Sequence, residues 1–327
     1  MATPLPTAPL DLRGVLSESK RIINAHSRHF LALSVLFLLP VSFTVTVFST
    51  LHQTLSYPDQ ILLQSSPREY LPTRKILQIA IVYLLFALFS LCALASITFS
   101  VFHGFYGRPV KLASAVKSLS KSFIPLFVTS VFANLAVLGI GFVIGLLAFL
   151  VLGGIRFLGF QISYDSPYFI GLCVICSMVL LLAAVYLQVN WALAGVVVVV
   201  ESSWGIDSLR RSTNLVKGMR GLSLSLVVFF GFFIGILVWI SSSSSFGLDG
   251  TSNGWRSLAF VVQIVVTSAL ISLLMLHNLA ANTVFYMCCK AMQGELALEI
   301  AEEFAREYIS LPFDDEKIPH LVSIIQA

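Results

Sequence analysis

The chain has 327 residues, of which 57% are hydrophobic and only 11% are charged. This composition is too apolar for an ordinary soluble protein. The formal net charge of +4 is small, so the placement of charges is more informative than their total, and no nucleic-acid partner is indicated.

Residues 1–29 precede the first long apolar run and are predicted to form a cytosolic N-terminal segment. Charged residues lead into a run of full membrane-spanning length, which favours an uncleaved signal-anchor over a cleaved signal peptide. The segment is also predicted to contain a basic amphipathic helix lying in the headgroup zone. Its apolar face consists of Leu12, Val15, Leu16, Ile22 and Ile23.

Six long apolar runs follow, and each reaches the roughly 20 residues that a helix needs to cross the hydrocarbon layer. A soluble core helix is rarely so long and so apolar on every side. We therefore predict an all-α, polytopic integral membrane protein with a six-helix transmembrane domain over residues 30–289, arranged as three hairpins. The runs are 30–51, 76–102, 123–152, 168–200, 222–242 and 257–288.

Two further interfacial helices are predicted, one before the third span and one before the fifth. Their apolar positions are Val110, Ala113, Val116 and Leu119 in the first, and Ile206, Leu209, Thr213 and Val216 in the second. Residues 16–23 (LSESKRII) and 209–216 (LRRSTNLV) share a serine and a following apolar pair. A threefold repeat of about 95 residues is one explanation, and selection for six spans with basic cytosolic loops is the other.

Basic residues predict the orientation. With the N-terminus inside, the cytosolic pieces hold 15 of the 20 Lys and Arg residues, which indicates cytosolic N- and C-termini by the positive-inside rule. The membrane is predicted to be the endoplasmic reticulum, another endomembrane or the plasma membrane.

Residues 290–327 are predicted to be an acidic cytosolic tail. Leu296, Ile300, Phe304 and Tyr308 recur at helical spacing opposite several glutamates, so this amphipathic helix needs a partner for its apolar stripe. An anionic leaflet repels its charge, so we expect it to dock on the basic cytosolic segments or on another protein. Just before the tail, Cys288 and Cys289 are either sites of S-palmitoylation or packed side chains.

Polar groups inside the spans are few: Asn134, Gln188, Asn190, Gln263, His277, Asn278 and Asn282. Asn190, Asn278 and Asn282 form either a path for a substrate or interhelical hydrogen bonds. Carriers driven by protons and voltage sensors usually need charged residues there, so these classes are disfavoured. Glu201, at the boundary of span four, is expected to pair with Arg210 or Arg211 or to cap the next segment. Gly139, Gly141 and Gly145 suggest a close helix contact.

No catalytic, cofactor-binding or metal-ligating residue is predicted. The six histidines lack metal-binding spacing, and Cys173-x-x-Cys176 stands alone in an apolar span without a second ligand pair.

Several segments resemble a plant family of six-span membrane proteins of undetermined function. They are 191–194 (WALA), Glu201 after five valines, 205–212 (GIDSLRRS), 215–218 (LVKG), 285–290 (FYMCCK) and 307–312 (EYISLP). The stretch around Glu201 is also similar to the membrane domain of some bacterial glycerophosphodiester phosphodiesterases. The phosphodiesterase domain and its metal ligands are missing here, so that activity is not implied. The resemblance implies architecture and a plant endomembrane or plasma-membrane setting.

We therefore expect a non-enzymatic role in membrane organisation, or as an adaptor that binds proteins through its cytosolic face. The alternative is a transporter or channel for a small solute or lipid that uses Gln188, Asn190, Asn278 and Asn282. A membrane-embedded lipid enzyme is the third reading and would require Glu201, His26 and a serine to meet.

Overall fold

The computed structural model describes residues 11–56, 71–107, 112–157, 166–246 and 258–297, and the elements within these ranges are all helical. A π-helical turn over Ser34–Leu38 interrupts the first long helical stretch. The helices are α1 (Leu12–Ala25), α2 (Ser27–Leu33), α3 (Leu39–Ser56), α4 (Leu71–Phe105), α5 (Leu112–Phe157), α6 (Pro167–Trp191), α7 (Ala194–Glu201), α8 (Ile206–Val216), α9 (Arg220–Phe246) and α10 (Leu258–Met292).

Within these ranges, six stretches of helix are long and apolar enough to cross a membrane, which confirms the predicted fold class. Consecutive spans pack as three hairpins, α3 with α4, α5 with α6 and α9 with α10. The spans are Ser27–Val47, Ile79–Phe105, Ser114–Ile155, Pro167–Glu201, Arg220–Ser242 and Val261–Met292.

The packed core lies around spans one, two and six, and the short helix α7 is inserted among them. Phe30, Ile97, Leu193 and Phe285 are each at most 1% exposed there. Span three and the α6 part of span four are peripheral and present apolar side chains outward, such as Phe142 at 72% exposure. Lipid tails are as apolar as these side chains, so this exposure has no cost in a bilayer.

Hydroxyl groups link the core spans. Thr46 and Ser268 lie 2.8 Å apart between spans one and six, and His29 Nε2 lies 3.0 Å from Ser100 Oγ of span two. Interhelical hydrogen bonds of this kind are worth about 0.6 kcal/mol each. They fix which face of each helix meets its neighbour.

Helix α1 is a separate amphipathic helix, as predicted, and its apolar face is buried. Val15, Ile22 and Ile23 are at most 7% exposed, and the helix packs on α10 and α4. We call the end of the bundle that carries α1, α8 and the C-terminus of α10 the α1 end.

The prediction of a separate interfacial helix before the third span is wrong. Helix α5 runs without a break from Leu112 to Phe157, with Pro125 inside it. Its 46 residues extend to about 69 Å at 1.5 Å per residue, well beyond a ~30 Å hydrocarbon layer. The polar N-terminal part therefore continues the span beyond the layer. Val110 lies outside the described residues.

Helix α8 is separate, but its predicted apolar face is only partly correct. Leu209 and Val216 are buried as expected, whereas Ile206 is 62% exposed and Thr213 is half-buried. Leu215 is buried as well, and serines occupy the other two buried positions, because Ser208 and Ser212 are both 0% exposed. Hydrogen bonds to neighbouring helices, and not apolar packing alone, set the orientation of this helix.

Residues at equivalent positions of the proposed threefold repeat are buried in part of the copies. Ser19 of α1 and Ser212 of α8 occupy equivalent positions and are both 0% exposed. The apolar pairs that follow them, 22–23 and 215–216, are also buried. Ala115 is the matching buried residue in α5, although that copy is continuous with its span.

Helix α10 is one long helix, as predicted, and it ends at a left-handed glycine. The N–H of Gly294, which has φ 76°, donates to the Ala291 carbonyl at 3.1 Å. A positive φ suits glycine because it has no Cβ. Leu296 beyond this turn is 7% exposed and joins the core. The rest of the predicted acidic helix lies outside the described residues.

Candidate functional site

The most connected polar cluster in the described part of the chain lies at the α1 end. We call it the ionic network and define it by Glu201, Arg211, Tyr286 and Glu295. These residues come from the end of α7, from α8, from α10 and from the segment after α10. The sequence predicted only the pairing of Glu201 with Arg210 or Arg211, and the structure selects Arg211.

Arg211 bridges two carboxylates. Its Nε donates to Glu201 Oε2 at 3.1 Å, and its Nη1 donates to Glu295 Oε1 at 3.1 Å. Its Nη2 donates to Glu295 Oε2, which completes a two-pronged contact. The planar guanidinium suits such pairing, and charge-assisted bonds of this kind are stronger than neutral ones. The bridge joins the end of span four to the beginning of the tail.

Tyr286 supports the same carboxylate from span six. Its hydroxyl donates to Glu201 Oε1 at 2.8 Å, and the residue is 0% exposed. The Lys290 ammonium lies 5.8 Å from the centroid of the Tyr286 ring, within the range of a cation–π contact. Both oxygens of Glu201 therefore have donors, so the carboxylate is held in place rather than offered to a substrate.

Charge pairing shifts the titration of two groups in the network. The pKa of Arg211 is raised above its ordinary value, chiefly by the hydrogen bond with Glu295. The pKa of the Glu295 carboxyl is lowered, chiefly by the hydrogen bond from Arg211. Each partner favours the charged form of the other, so the pair stays ionised at neutral pH.

Helix α8 is held in place by hydroxyl groups on both sides. At its start, the Gly205 N–H donates to Thr129 Oγ1 of α5 at 2.9 Å, and Gly205 has a positive φ of 69°. On the α6 side, Ser212 Oγ donates to the Asn190 carbonyl at 2.8 Å. At its end, Gln293 Nε2 donates to the Leu215 carbonyl at 3.3 Å. These bonds position Arg211 toward the two carboxylates.

The predicted polar path is not assembled. Gln188 and Asn134 are exposed, and Asn278 Oδ1 accepts a hydrogen bond from Asn282 Nδ2 at 3.1 Å within the same helix. Asn190 is 3% exposed and donates to the Tyr186 carbonyl of its own helix at 2.7 Å. Helices α6 and α10, which carry these groups, are not among the closely packed helix pairs.

His277, another candidate polar residue of span six, also bonds within its own helix. Its Nδ1 lies 2.9 Å from the Leu273 carbonyl of the preceding turn. This contact is typical of a side chain that satisfies its own helix.

Cys288 and Cys289 face the core. They are 9% and 1% exposed, and Cys289 Sγ lies 3.8 Å from Met219 Sδ. An acyltransferase needs access to the sulfur, so the geometry favours the packing alternative over S-palmitoylation. Cys289 contributes to the contact between the end of span six and the start of span five.

The close contact expected at the glycines of span three is absent from the described helices. A Cβ added at Gly139 or Gly145 would meet nothing within 4 Å, and one at Gly141 would lie 3.9 Å from Leu180. The close approach of helices occurs elsewhere, at Gly195. There an added Cβ would lie 2.6 Å from Leu94 Cδ2.

The described residues contain no group of three or more His, Cys, Asp or Glu side chains that could hold a metal ion. The lipid-enzyme reading required Glu201 to meet His26 and a serine. The Glu201 carboxylate is instead bonded to Arg211 and Tyr286, and no contact with His26 occurs within the described ranges.

Sequence reasoning missed Tyr286 and Glu295 as members of the network. Each lies about 85 residues from its partner along the chain, so no local spacing connects them. One signal was present, because Tyr286 is a hydroxyl-bearing residue within the stretch 285–290 at the end of an apolar span.

Together, six apolar spans and a non-metal polar network at one end define a multi-pass α-helical membrane protein. The chain belongs to the family described as Domain of unknown function (DUF8558), whose model matches residues 8–297. No curated protein and no solved structure matches it. The family description carries neither an organism nor an activity, so the plant setting and the likeness to a phosphodiesterase membrane domain stay predictions.

Proposed function

We propose that the protein is a non-enzymatic membrane organiser or adaptor that binds other proteins through the α1 end. The observation that carries the proposal is the Arg211 bridge between Glu201 and Glu295. It holds the first residues of the tail against the bundle, so the acidic segment that follows leaves from a defined place.

The charge pattern supports the α1 end as the binding face. Basic residues of the sequence concentrate in the pieces assigned to that side, and the tail carries Glu299, Glu302, Glu303 and Glu307. An acidic amphipathic helix is unsuited to an anionic leaflet, so a protein surface is the better partner for it.

The same charge pattern supports a cytosolic location for both termini by the positive-inside rule. The resemblance noted in the sequence supports a plant endomembrane or plasma-membrane setting. In this proposal the spans anchor the protein and the tail recruits partners, with no chemical step.

Proximity labelling tests this role. A labelling enzyme is fused to the C-terminus of the full chain, of Arg211→Gln, of Lys217→Gln and of a chain lacking residues 298–327. Lys217 is the matched control, because it is an exposed cation next to α8 whose ammonium donates to Asn214 Oδ1 at 2.9 Å.

We expect a defined set of cytosolic neighbours around the full chain and around Lys217→Gln. The set should be lost on deletion of 298–327 and reduced severalfold in Arg211→Gln at equal protein level. A neighbour set that matches a generic membrane bait, or that is unchanged by the deletion, contradicts the adaptor role.

Transport is the second candidate, and one observation favours it. Asn190 Oδ1 is buried and has no hydrogen-bond partner within the described residues. A buried unpaired oxygen is costly and is a reason to suspect a bound solute or water. A solute flux in proteoliposomes that Asn190→Leu abolishes, with unchanged thermal stability, would favour transport over the adaptor role.

A further inference from the structure

A groove of about 670 Å³ opens between α5, α6 and α8 at the α1 end. We call it the α8 groove. Its volume lies within the roughly 300–1,000 Å³ that is common for small-molecule sites. Its walls are mostly apolar, and its one charged group is a guanidinium. The main lining residues are Phe132, Leu135, Trp191, Ile206, Leu209 and Arg210.

Arg210 and its neighbour Arg211 have different surroundings. Arg211 is bonded to two carboxylates, whereas Arg210 lines the groove and is exposed. Within the described part of the chain, Arg210 makes no ion pair or side-chain hydrogen bond. Asp207, one turn earlier on the same helix, is not within ion-pair distance of it. The groove therefore joins apolar walls to a cation that is available for an external anion.

The groove lies near the boundary of the hydrocarbon layer. Helix α6 has 25 residues, about 37 Å of helix, and ends at Trp191. Helix α5 runs antiparallel to α6, and counting back equally from the loop between them brings Phe132 to the level of Trp191. Tryptophan is enriched at this depth, where one side of the ring is apolar and the other is wet.

We propose that the α8 groove binds a single anionic phospholipid. The acyl chain lies along Phe132, Leu135 and Trp191, and the phosphate accepts hydrogen bonds from the Arg210 guanidinium. A guanidinium matches two phosphate oxygens at once, and basic pockets at this side of a membrane protein select anionic headgroups. The apolar walls can contact the acyl chain of a lipid, whereas they contribute nothing to the binding of a small soluble anion. This site is independent of the tail and of the proposed adaptor role.

Lipid titration by native mass spectrometry tests the site. The full chain is purified in detergent, stripped of lipid and titrated with phosphatidylserine or with phosphatidylcholine of the same chain length. The variants are Arg210→Gln, Lys217→Gln and Ala136→Trp, which places a large ring in the groove wall. Thermal unfolding of each variant checks the fold, and Arg210→Gln should not destabilise the protein because Arg210 is exposed.

We expect the wild type and Lys217→Gln to prefer phosphatidylserine by about fivefold, the effect of a single cation near an anionic headgroup. Arg210→Gln should lose this preference, and Ala136→Trp should weaken binding of both lipids. A preference that persists in Arg210→Gln overturns the assignment, and so does lipid binding unchanged by Ala136→Trp. Displacement of the lipid by millimolar inorganic phosphate would show a soluble-anion site and would also overturn it.

Discussion

Replacing Arg211 by glutamine removes the one cation that joins Glu201 to Glu295. Glutamine keeps some capacity to donate hydrogen bonds but carries no charge. The Tyr286 hydroxyl still bonds Glu201, whereas Glu295 loses its two-pronged contact. We therefore expect the start of the tail to detach from the bundle while the six spans stay folded.

The magnitude follows from the exposure of the three side chains. Arg211 is 30% exposed, Glu201 21% and Glu295 35%, so the network is neither fully solvated nor fully buried. Exposed ion pairs contribute under about 1 kcal/mol, and breaking a buried pair costs about 3–5 kcal/mol. An intermediate network with one cation and two anions should contribute about 2 kcal/mol.

Thermal unfolding in detergent, followed with a thiol-reactive fluorescent probe, measures this loss. Cys288 and Cys289 are suitable reporters because they are buried close to the network, once the more exposed Cys92, Cys173 and Cys176 are replaced by alanine in every variant. A loss of 2 kcal/mol predicts a fall in Tm of about 5 °C. Lys217→Gln changes an exposed cation nearby and should stay within about 1 °C of the wild type.

A double variant separates the network from a general effect of the substitution. Removing Glu295 as well, in Arg211→Gln/Glu295→Gln, abolishes the unpaired carboxylate, so the two losses should not add, with a coupling of about 1 kcal/mol. A Tm for Arg211→Gln equal to that of Lys217→Gln, or fully additive losses in the double variant, would refute the reasoning.

Three further results are expected. The lowered pKa of Glu295 means that its contribution to the free energy of unfolding is complete above the ordinary carboxyl pKa of 4.5 and is lost as the pH falls through the lower folded value. Melting curves at decreasing pH should show this loss of stability in the wild type and not in Glu295→Gln. Gly195→Ala places a Cβ 2.6 Å from Leu94 Cδ2 and should lower the free energy of unfolding by about 1–3 kcal/mol, whereas Gly171→Ala, with open space around it, should not; equal Tm values would contradict the close contact. Cys289 should resist maleimide and carry no acyl chain in the folded protein, as mass spectrometry of the proteolytic peptide that contains it would show; rapid labelling of Cys289 without unfolding would contradict its burial.

The spans were predictable because length and apolarity are properties of the local sequence. A run such as 222–242 needs no partner to identify it, and the structure places a helix there, Arg220–Phe246. Helix α1 was predictable for a similar reason, since its apolar residues share one face and that face is buried.

The orientation of α8 was only partly predictable because two of its five buried residues are serines. Ser208 and Ser212 are completely buried by hydrogen bonds to groups on α5 and α6. A pattern search for apolar residues takes these serines for surface positions and assigns Ile206 to the core instead. The hydrogen-bond partners of Ser212 and Ser208, which set the orientation of α8, lie 22 and 79 residues away along the chain.

Two of the four residues of the ionic network, Glu201 and Arg211, were predictable from the sequence. Glu201 and Arg211 are ten residues apart, so the turn between α7 and α8 brings them together. Tyr286 and Glu295 reach the network only because span six returns to the α1 end beside span four. The continuity of α5 was hidden for another reason, since the basic residues before the apolar run suggested a boundary that the helix does not have.

The length of helix α5 allows a change in bilayer thickness to move the α1 end of the bundle. A span adjusts its tilt to bilayer thickness, and a tilt of 10° displaces a point ~30 Å along a rigid helix by about 5 Å. The turn that leads into α8 is bonded to α5 through Thr129, one helical turn beyond Pro125. Movement of span three in a thinner or thicker membrane should therefore reach α8, the helix that carries both Arg210 and Arg211.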